Sequence, residues 1–205
     1  MNYRILSHRQ GETIAKDPEF SNEWFEIQEV LAGITDEDLI AEFESRTRVE
    51  KSISLTINKL IKDRLVAKSW AEESPIFQSK DHTSGKWRLD FAKGKISVEV
   101  AFNHGGTTAW NLLKPSLASE YNHIDKAIQT KLGIVIFATS NMRKAGGFDN
   151  AIGTLEKAET YLKPMYSLLP CPMVIIGLEA PETFSIEHKK DDKNRKIGHV
   201  VKNYF

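Results

Sequence analysis

The sequence predicts an α/β fold: a single domain with a mixed β-sheet flanked by helices. Three observations predict it. Amphipathic helical patterns fill the first third of the chain. A hairpin pattern of alternating apolar residues sits near its middle. Two continuous apolar runs, at 132–139 and 172–178, read as central strands covered on both faces. Helices, a hairpin, then helix, strand, helix, strand is the order of a mixed sheet with crossover helices. A chain of 205 residues can bury one sizeable core. We therefore read residues 1–205 as one domain, with N-terminal helices over about 19–66, a core over about 70–180 and a basic tail over about 181–205.

Phe20, Trp24, Ile27, Leu31 and Ile34 recur at spacings of four and three and predict an amphipathic helix. Thr35 followed by Asp36, Glu37 and Asp38 reads as an N-cap with acids in the first turn, so a second helix is expected to about Ser45. Ile53, Ile57, Leu60, Ile61 and Leu65 mark a third helix, with Trp70 closing the core after it. Polar and turn residues over 79–85 lead into the hairpin, and the segment ahead of them has room for one more strand. Leu89, Phe91, Val98, Val100 and Phe102 alternate with Arg88, Asp90, Ser97, Glu99 and Ala101. Gly94-Lys95 fits a type II′ turn, which takes Gly at its first central position. After a loop at Asn103–Thr108, Leu113, Leu117, Tyr121, Ile124 and Ile128 predict a helix running to about Thr130, with Pro115 as a kink or the true first turn. Residues 140–149 read as a loop. Leu155, Ala158, Tyr161 and Leu162 predict a helix ending near Pro164. In the tail, a short strand at 183–186 and docking of 197–205 on the domain are expected.

The longest apolar runs are too short to span a membrane, and the first residues lack a signal-peptide core. The single cysteine, Cys171, has no internal disulfide partner and reads as a buried, inert thiol. These features point to the cytoplasm. The histidines show no zinc spacing, and the chain has neither a glycine-rich phosphate loop nor a Gly-x-Ser-x-Gly elbow. Net charge is zero, with 28 Lys plus Arg against 28 Asp plus Glu, but it is unevenly spread. Residues 12–50 hold twelve acids and three bases, 188–202 six bases and two acids, and 80–95 five bases and two acids. Such segregation allows a locally positive surface on a neutral protein.

The turn register places Phe91 opposite Val98 on the apolar face. It places Asp90 opposite Glu99 on the other, with Cβ atoms about 5 Å apart, and Arg88 opposite Ala101. Two facing carboxylates destabilise a hairpin, and a divalent cation between them removes the penalty. The competing reading is a solvated hairpin face with Asp90 or Glu99 paired to Arg88. Loops after strands commonly carry binding groups, which brings in Asn103, His104, Gly105, Arg143 and Lys144. The basic tail adds Lys189, Lys190 and Arg195 as phosphate contacts with salt-dependent affinity. For each of these an ordinary solvated loop is the alternative.

Asp90 followed nine residues later by Glu99 in a hydrophobic strand resembles the PD-(D/E)xK nuclease motif. The block Val98-Glu-Val-Ala-Phe-Asn-His is similar to the Glu-Val-(Gln/Glu)-Phe block of BglII-like type II restriction endonucleases, a group similar in turn to BamHI and BstYI. The stretches 23–31, 58–70, 134–139 and 172–178 resemble the same family in order, so the likeness spans roughly residues 20–180. It implies Mg²⁺, with Mn²⁺ as a substitute, held by Asp90, Glu99 and the carbonyl of Val100. It further implies double-stranded DNA as partner, a homodimer cutting a short palindrome, and Glu73 as a further catalytic candidate. Ala101 departs from the pattern, because the family has Gln or Glu there and the wider superfamily Lys. Either the protein is naturally deficient, or it is a variant inactivated by substitution, or another side chain supplies the function. Arg88, Lys114, Glu120 and Glu73 are the candidates for that side chain. The rival functions are a non-cleaving DNA-binding protein of the same fold, a repair or branched-DNA nuclease, and an α/β scaffold whose hairpin is merely structural.

Overall fold

A six-stranded mixed sheet forms the centre of the protein, in the order β1-β6-β5-β4-β3-β2. The computed structural model describes residues 1–47, 50–82, 84–120 and 125–203. Its strands are β1 (Tyr3–His8), β2 (Ala71–Pro75), β3 (Arg88–Lys93), β4 (Ile96–Val100), β5 (Leu132–Ala138) and β6 (Met173–Leu178). β4, β5 and β6 run parallel, and β1, β2 and β3 pair antiparallel at the two sides. Every residue of β5 and β6 is buried, which is why both read as unbroken apolar runs.

Helices cover both faces. On one lie α2 (Ser21–Gly33), α3 (Asp36–Glu44) and α4 (Ser54–Ala67), whose Trp24, Ile27, Leu31, Leu39, Ile57 and Ile61 pack on Val98, Ile134, Ile136 and Val174. Thr35 caps α3 reciprocally with Asp38, as the acid-rich first turn predicts. The other face carries α5 (Thr108–Ser119) and α7 (Leu155–Leu162), with Leu112, Leu155 and Ala158 against Val135, Phe137 and Ile175. Alternation along β4 divides its side chains. Ile96, Val98 and Val100 face α2 and α4, while Ser97, Glu99 and Ala101 face α5. α5 comes close to the sheet because β5 has Gly133 beneath it: a Cβ there would lie 2.5 Å from Pro115 Cβ and 3.0 Å from Met173 Cγ.

The structure differs from the sequence reading in four places. β1 and the five-residue α1 (Gly11–Ala15) were not foreseen, since β1 does not alternate in burial and α1 is shorter than two helical turns. The expected helix to Thr130 ends at Ser119. Thr130 N–H and the Gln129 side chain then bond back to the carbonyls of Ala118 and Ser119, so the returning chain takes over the helix end. Tyr121 and Ile124 lie outside the described residues. Arg143 and Lys144 sit on a short helix, α6 (Ser140–Ala145), not in a loop: the Thr139 hydroxyl caps it at Met142 N–H, and Met142 is buried. Finally, the C-terminal segment is a two-stranded antiparallel ribbon of β7 (Phe184–Lys190) and β8 (Lys196–Lys202), longer than the short strand expected. Tyr204 and Phe205 of the expected docking segment lie outside the described residues.

Gly133→Ala is expected to destabilise the protein by about 1–3 kcal/mol, the usual cost of forcing a methyl into a packed core. Urea denaturation measures it, and an unchanged midpoint would show that α5 is not held by this contact.

Candidate active site

The site begins where the β3–β4 hairpin stops being a hairpin. The ladder runs from Lys93↔Ile96 through Phe91↔Val98, turning at Gly94, whose φ is +54°. Beyond Phe91 the next residues are Asp90 and Glu99, and their carboxylates take the backbone donors. Asp90 Oδ2 accepts from Val100 N–H at 2.6 Å, and Glu99 Oε1 accepts from Asp90 N–H at 3.3 Å. β4 then continues with β5, and β3 with β2. Arg88 therefore never meets Ala101. It pairs with Pro75 and donates to the Glu73 carbonyl at 2.9 Å, which corrects the extrapolated register. Ala101 is 1% exposed and packs with Leu112.

Glu73 lies across from Asp90 on the other side. The pairs Glu72↔Phe91 and Ser74↔Leu89 bracket it, and its φ of +48° breaks the ladder there. A glutamate held left-handed stores strain on the order of 1–3 kcal/mol, a kind of cost that clusters at functional sites. Asp90, Glu73, Val100, Asn58 and Lys62 line a hollow of about 200 Å³. Asn58 and Lys62 stand one turn apart on α4, and the sequence reading missed both because they belong to the polar face of an ordinary amphipathic helix. Among the described residues, Asn58 Oδ1 is buried without a hydrogen-bond partner. From the other face Lys114 reaches in from α5, with Nζ 2.7 Å from Glu99 Oε2. Glu120, six residues further on, is exposed at the end of the same helix, about 9 Å away along its axis.

Electrostatics follow from this burial. Glu99 is pushed up to about 8, first by desolvation and then by the Asp90 charge, against the attraction of Lys114. Asp90 is also raised, chiefly by burial with a contribution from Glu73, while the Val100 N–H and Lys114 oppose the shift. Removing one partner of a buried ion pair such as Lys114–Glu99 typically costs about 3–5 kcal/mol. Among the described residues no group of three or more His, Cys, Asp or Glu side chains gathers to hold an ion. Mg²⁺, however, is commonly bound by one or two carboxylates while keeping several waters. Two carboxylates whose charge is disfavoured, one of them lining the hollow with an amide oxygen that is unpartnered among the described residues, fit a hydrated hard cation. Asp90, Glu99 and the Val100 carbonyl are the groups that would hold it.

The family model for restriction endonuclease BglII/BglIII matches residues 3–178. The chain belongs to that family. Among solved structures, the restriction endonuclease BglII in complex with a DNA 16-mer is similar at a TM-score of 0.69 and 23% identity, covering 98% of this chain and 90% of that one. Free BglII is similar at 0.59 and 20%, covering 99% and 100%. No curated protein sequence matches the chain. In this BglII/BglIII-family chain the β7–β8 ribbon lies beyond the span of the family model.

The remaining predicted residues fall just past the carboxyl ends of β4 and β5 and on the β7–β8 ribbon. Asn103 is exposed, and its amide oxygen is held by Thr107 Oγ1 at 2.7 Å and Asn111 Nδ2 at 2.9 Å. His104 is exposed, with Nδ1 accepting from Gly106 N–H. Gly105, in contrast, is buried against the 151–152 backbone and donates to the Ala151 carbonyl. Arg143 and Lys144 line a hollow of about 540 Å³ together with Lys51, Phe102, His188 and Lys196. Lys51 and His188 were not proposed as contacts from the sequence, because only the ribbon's fold brings them to α6. Lys189 and Lys190 are exposed on β7, and Arg195 is held by Asp191 at 2.7 Å across the ribbon turn.

A carboxyl with a raised pKa binds its proton more tightly when folded. The stability it contributes is therefore complete below the ordinary value of 4.5 and is lost as pH rises through about 8. In cation-free protein, carboxyl ¹³C NMR is expected to show Glu99 titrating far above 4.5, and Asp90→Asn to move that titration down. A Glu99 midpoint near 4.5 in the unmodified chain would refute this account of the site.

Proposed function

We propose that this chain is a type II site-specific endodeoxyribonuclease of a restriction–modification system. It hydrolyses phosphodiester bonds of double-stranded DNA with Mg²⁺, or Mn²⁺ in its place, and acts as a homodimer on a short palindrome. The observation that carries the reading is the Asp90–Glu99 pair, set at the split of β3 and β4 beside a hollow with an unpartnered acceptor. Family membership supports the endonuclease class, and the DNA bound to BglII supports DNA as partner. When bound at this pair, a divalent cation would supply charge neutralisation at the phosphate and activation of water.

The chain's own residues do the rest. Asp90 and Glu99 would hold the cation, and backbone N–H groups fix both carboxylates in place. Glu73 adds a carboxylate across the hollow from Asp90. The cationic hollow of Lys51, Arg143, Lys144, His188 and Lys196 leads from the same strand end, since Val100 lines one hollow and Phe102 the other. This gives a duplex backbone a path away from the scissile bond. The exposed Asn103 and His104 stand between and supply groups able to bond base edges. A second reading, a non-cleaving DNA-binding protein of the same fold, is favoured by one observation: Ala101 offers only a methyl group on the site face of β4.

Incubation of plasmid DNA with the protein and Mg²⁺ or Mn²⁺ is expected to give discrete fragments. Asp90→Ala and Glu99→Ala should each lower the rate about 10²–10³-fold, the scale of removing one charge-stabilising group, while retaining DNA binding. Binding without fragments in the unmodified chain, with cleavage appearing in Ala101→Gln, would establish the second reading. In gel-shift titrations, replacing Lys189 and Lys190 by alanine should reduce the salt slope of binding by about one to two. An unchanged slope removes the ribbon from the interface.

A further inference from the structure

At its carboxyl end β4 turns Glu99 and, one residue past the strand, Ala101 to the α5 side of the sheet. At Ala101 that face is a buried methyl group packed on Leu112. The polar group beside Glu99 arrives from a different element. Lys114 Nζ donates to Glu99 Oε2 at 2.7 Å, and the two side chains are 10% and 3% exposed. Pro115, the next residue, rests on Gly133, and a larger residue there would push the helix and its lysine outward. An ammonium has three donors and no acceptor. One donor goes to Glu99, and among the described residues no other protein acceptor is bonded to it. Two donors are thus left for water or a phosphate oxygen beside the carboxylates.

We propose that Lys114 is a positioning residue for phosphodiester hydrolysis, supplying from helix α5 the polar side chain that strand β4 lacks at Ala101. The inference rests on the nuclease reading given above. Its geometry separates two effects that a merely structural lysine would link. Lys114 holds Glu99 in its working orientation, so losing it slows cleavage. It also places a positive charge on the carboxylate oxygen that a divalent cation needs, so losing it favours the cation.

The test uses the full chain and Mn²⁺. Calorimetric titration without DNA is expected to give Lys114→Met an Mn²⁺ affinity about threefold or more above the unmodified chain, because a like charge has left the seat. Cleavage of plasmid DNA by the same variant falls about 10–100-fold, the usual effect of losing a partner that orients a metal ligand. Since a lone buried Glu99 can compromise folding, a second variant moves the lysine to the strand: Lys114→Ala combined with Ala101→Lys recovers cleavage relative to Lys114→Ala alone. Cleavage by Lys114→Met at the rate of the unmodified chain overturns the proposal. So does a joint fall of Mn²⁺ affinity and thermal stability that the double variant fails to reverse. An unmodified chain that binds DNA yet cuts with neither cation, before and after Ala101→Gln, sinks the nuclease reading and this proposal with it.

Discussion

Two hydrogen bonds from backbone to carboxylate determine the shape of the whole active edge. Where the β3–β4 ladder would continue, Asp90 takes the N–H of Val100 and Glu99 takes the N–H of Asp90. The backbone groups are satisfied, so nothing forces the strands to stay paired, and they part. β4 goes on with β5, and β3 with β2. The space between them is the hollow. The same arrangement places two acidic groups in a poorly solvated setting, and charge-assisted hydrogen bonds offset part of that cost. Lys114 offsets more of it from one face, and on the other the hollow lies beside Asn58.

That divergence marks the limit of what the sequence could reveal. The hairpin register was legible from Gly94 and the alternation of Leu89, Phe91, Val98 and Val100, so the facing of Asp90 and Glu99 followed. Arg88 was misplaced because a register argument extends the ladder indefinitely, and only the carboxylates themselves end it. α5 read too long for a similar reason. Ile128 sits at helical spacing from Leu117, yet it joins Ile76 and Phe77 from the returning segment. The ribbon left little pattern because only Phe184 and Ile186 of β7 are buried, while Ser185 and residues 197–201 are half-buried and the rest exposed. An element whose faces are so incompletely covered has little reason to alternate.

Charge segregation in the sequence turns out to serve two purposes. The acidic N-terminal helices do not repel a substrate in bulk. Many of the acids of that region are paired: Glu26 with Lys93 and Glu19 with Lys95 and Lys131 of the core, and Glu29 with Lys68 and Asp38 with Arg64 at α4. Lys93 and Lys95 therefore lend little to a positive patch around the hairpin, although composition alone counted them there. The cationic surface lies instead where α6 meets the ribbon, around Lys51, Arg143, Lys144 and Lys196, and among the described residues lining that hollow only Asp149 is acidic.

A site read from one strand is only half a site. β4 supplies the carboxylate, but the ammonium that meets it is carried by a helix whose depth depends on a glycine in the next strand, β5. The identity of residue 101 and the approach of α5 are therefore linked quantities. A longer side chain at 101 would compete for the space that Lys114 crosses, and a bulkier residue at 133 would withdraw Lys114 from Glu99. A motif confined to consecutive residues registers Ala101 as a loss. The packing of α5 on β5 allows a polar group to return to the same carboxylate by another route, so core packing and site chemistry constrain each other through Gly133, Pro115 and Lys114.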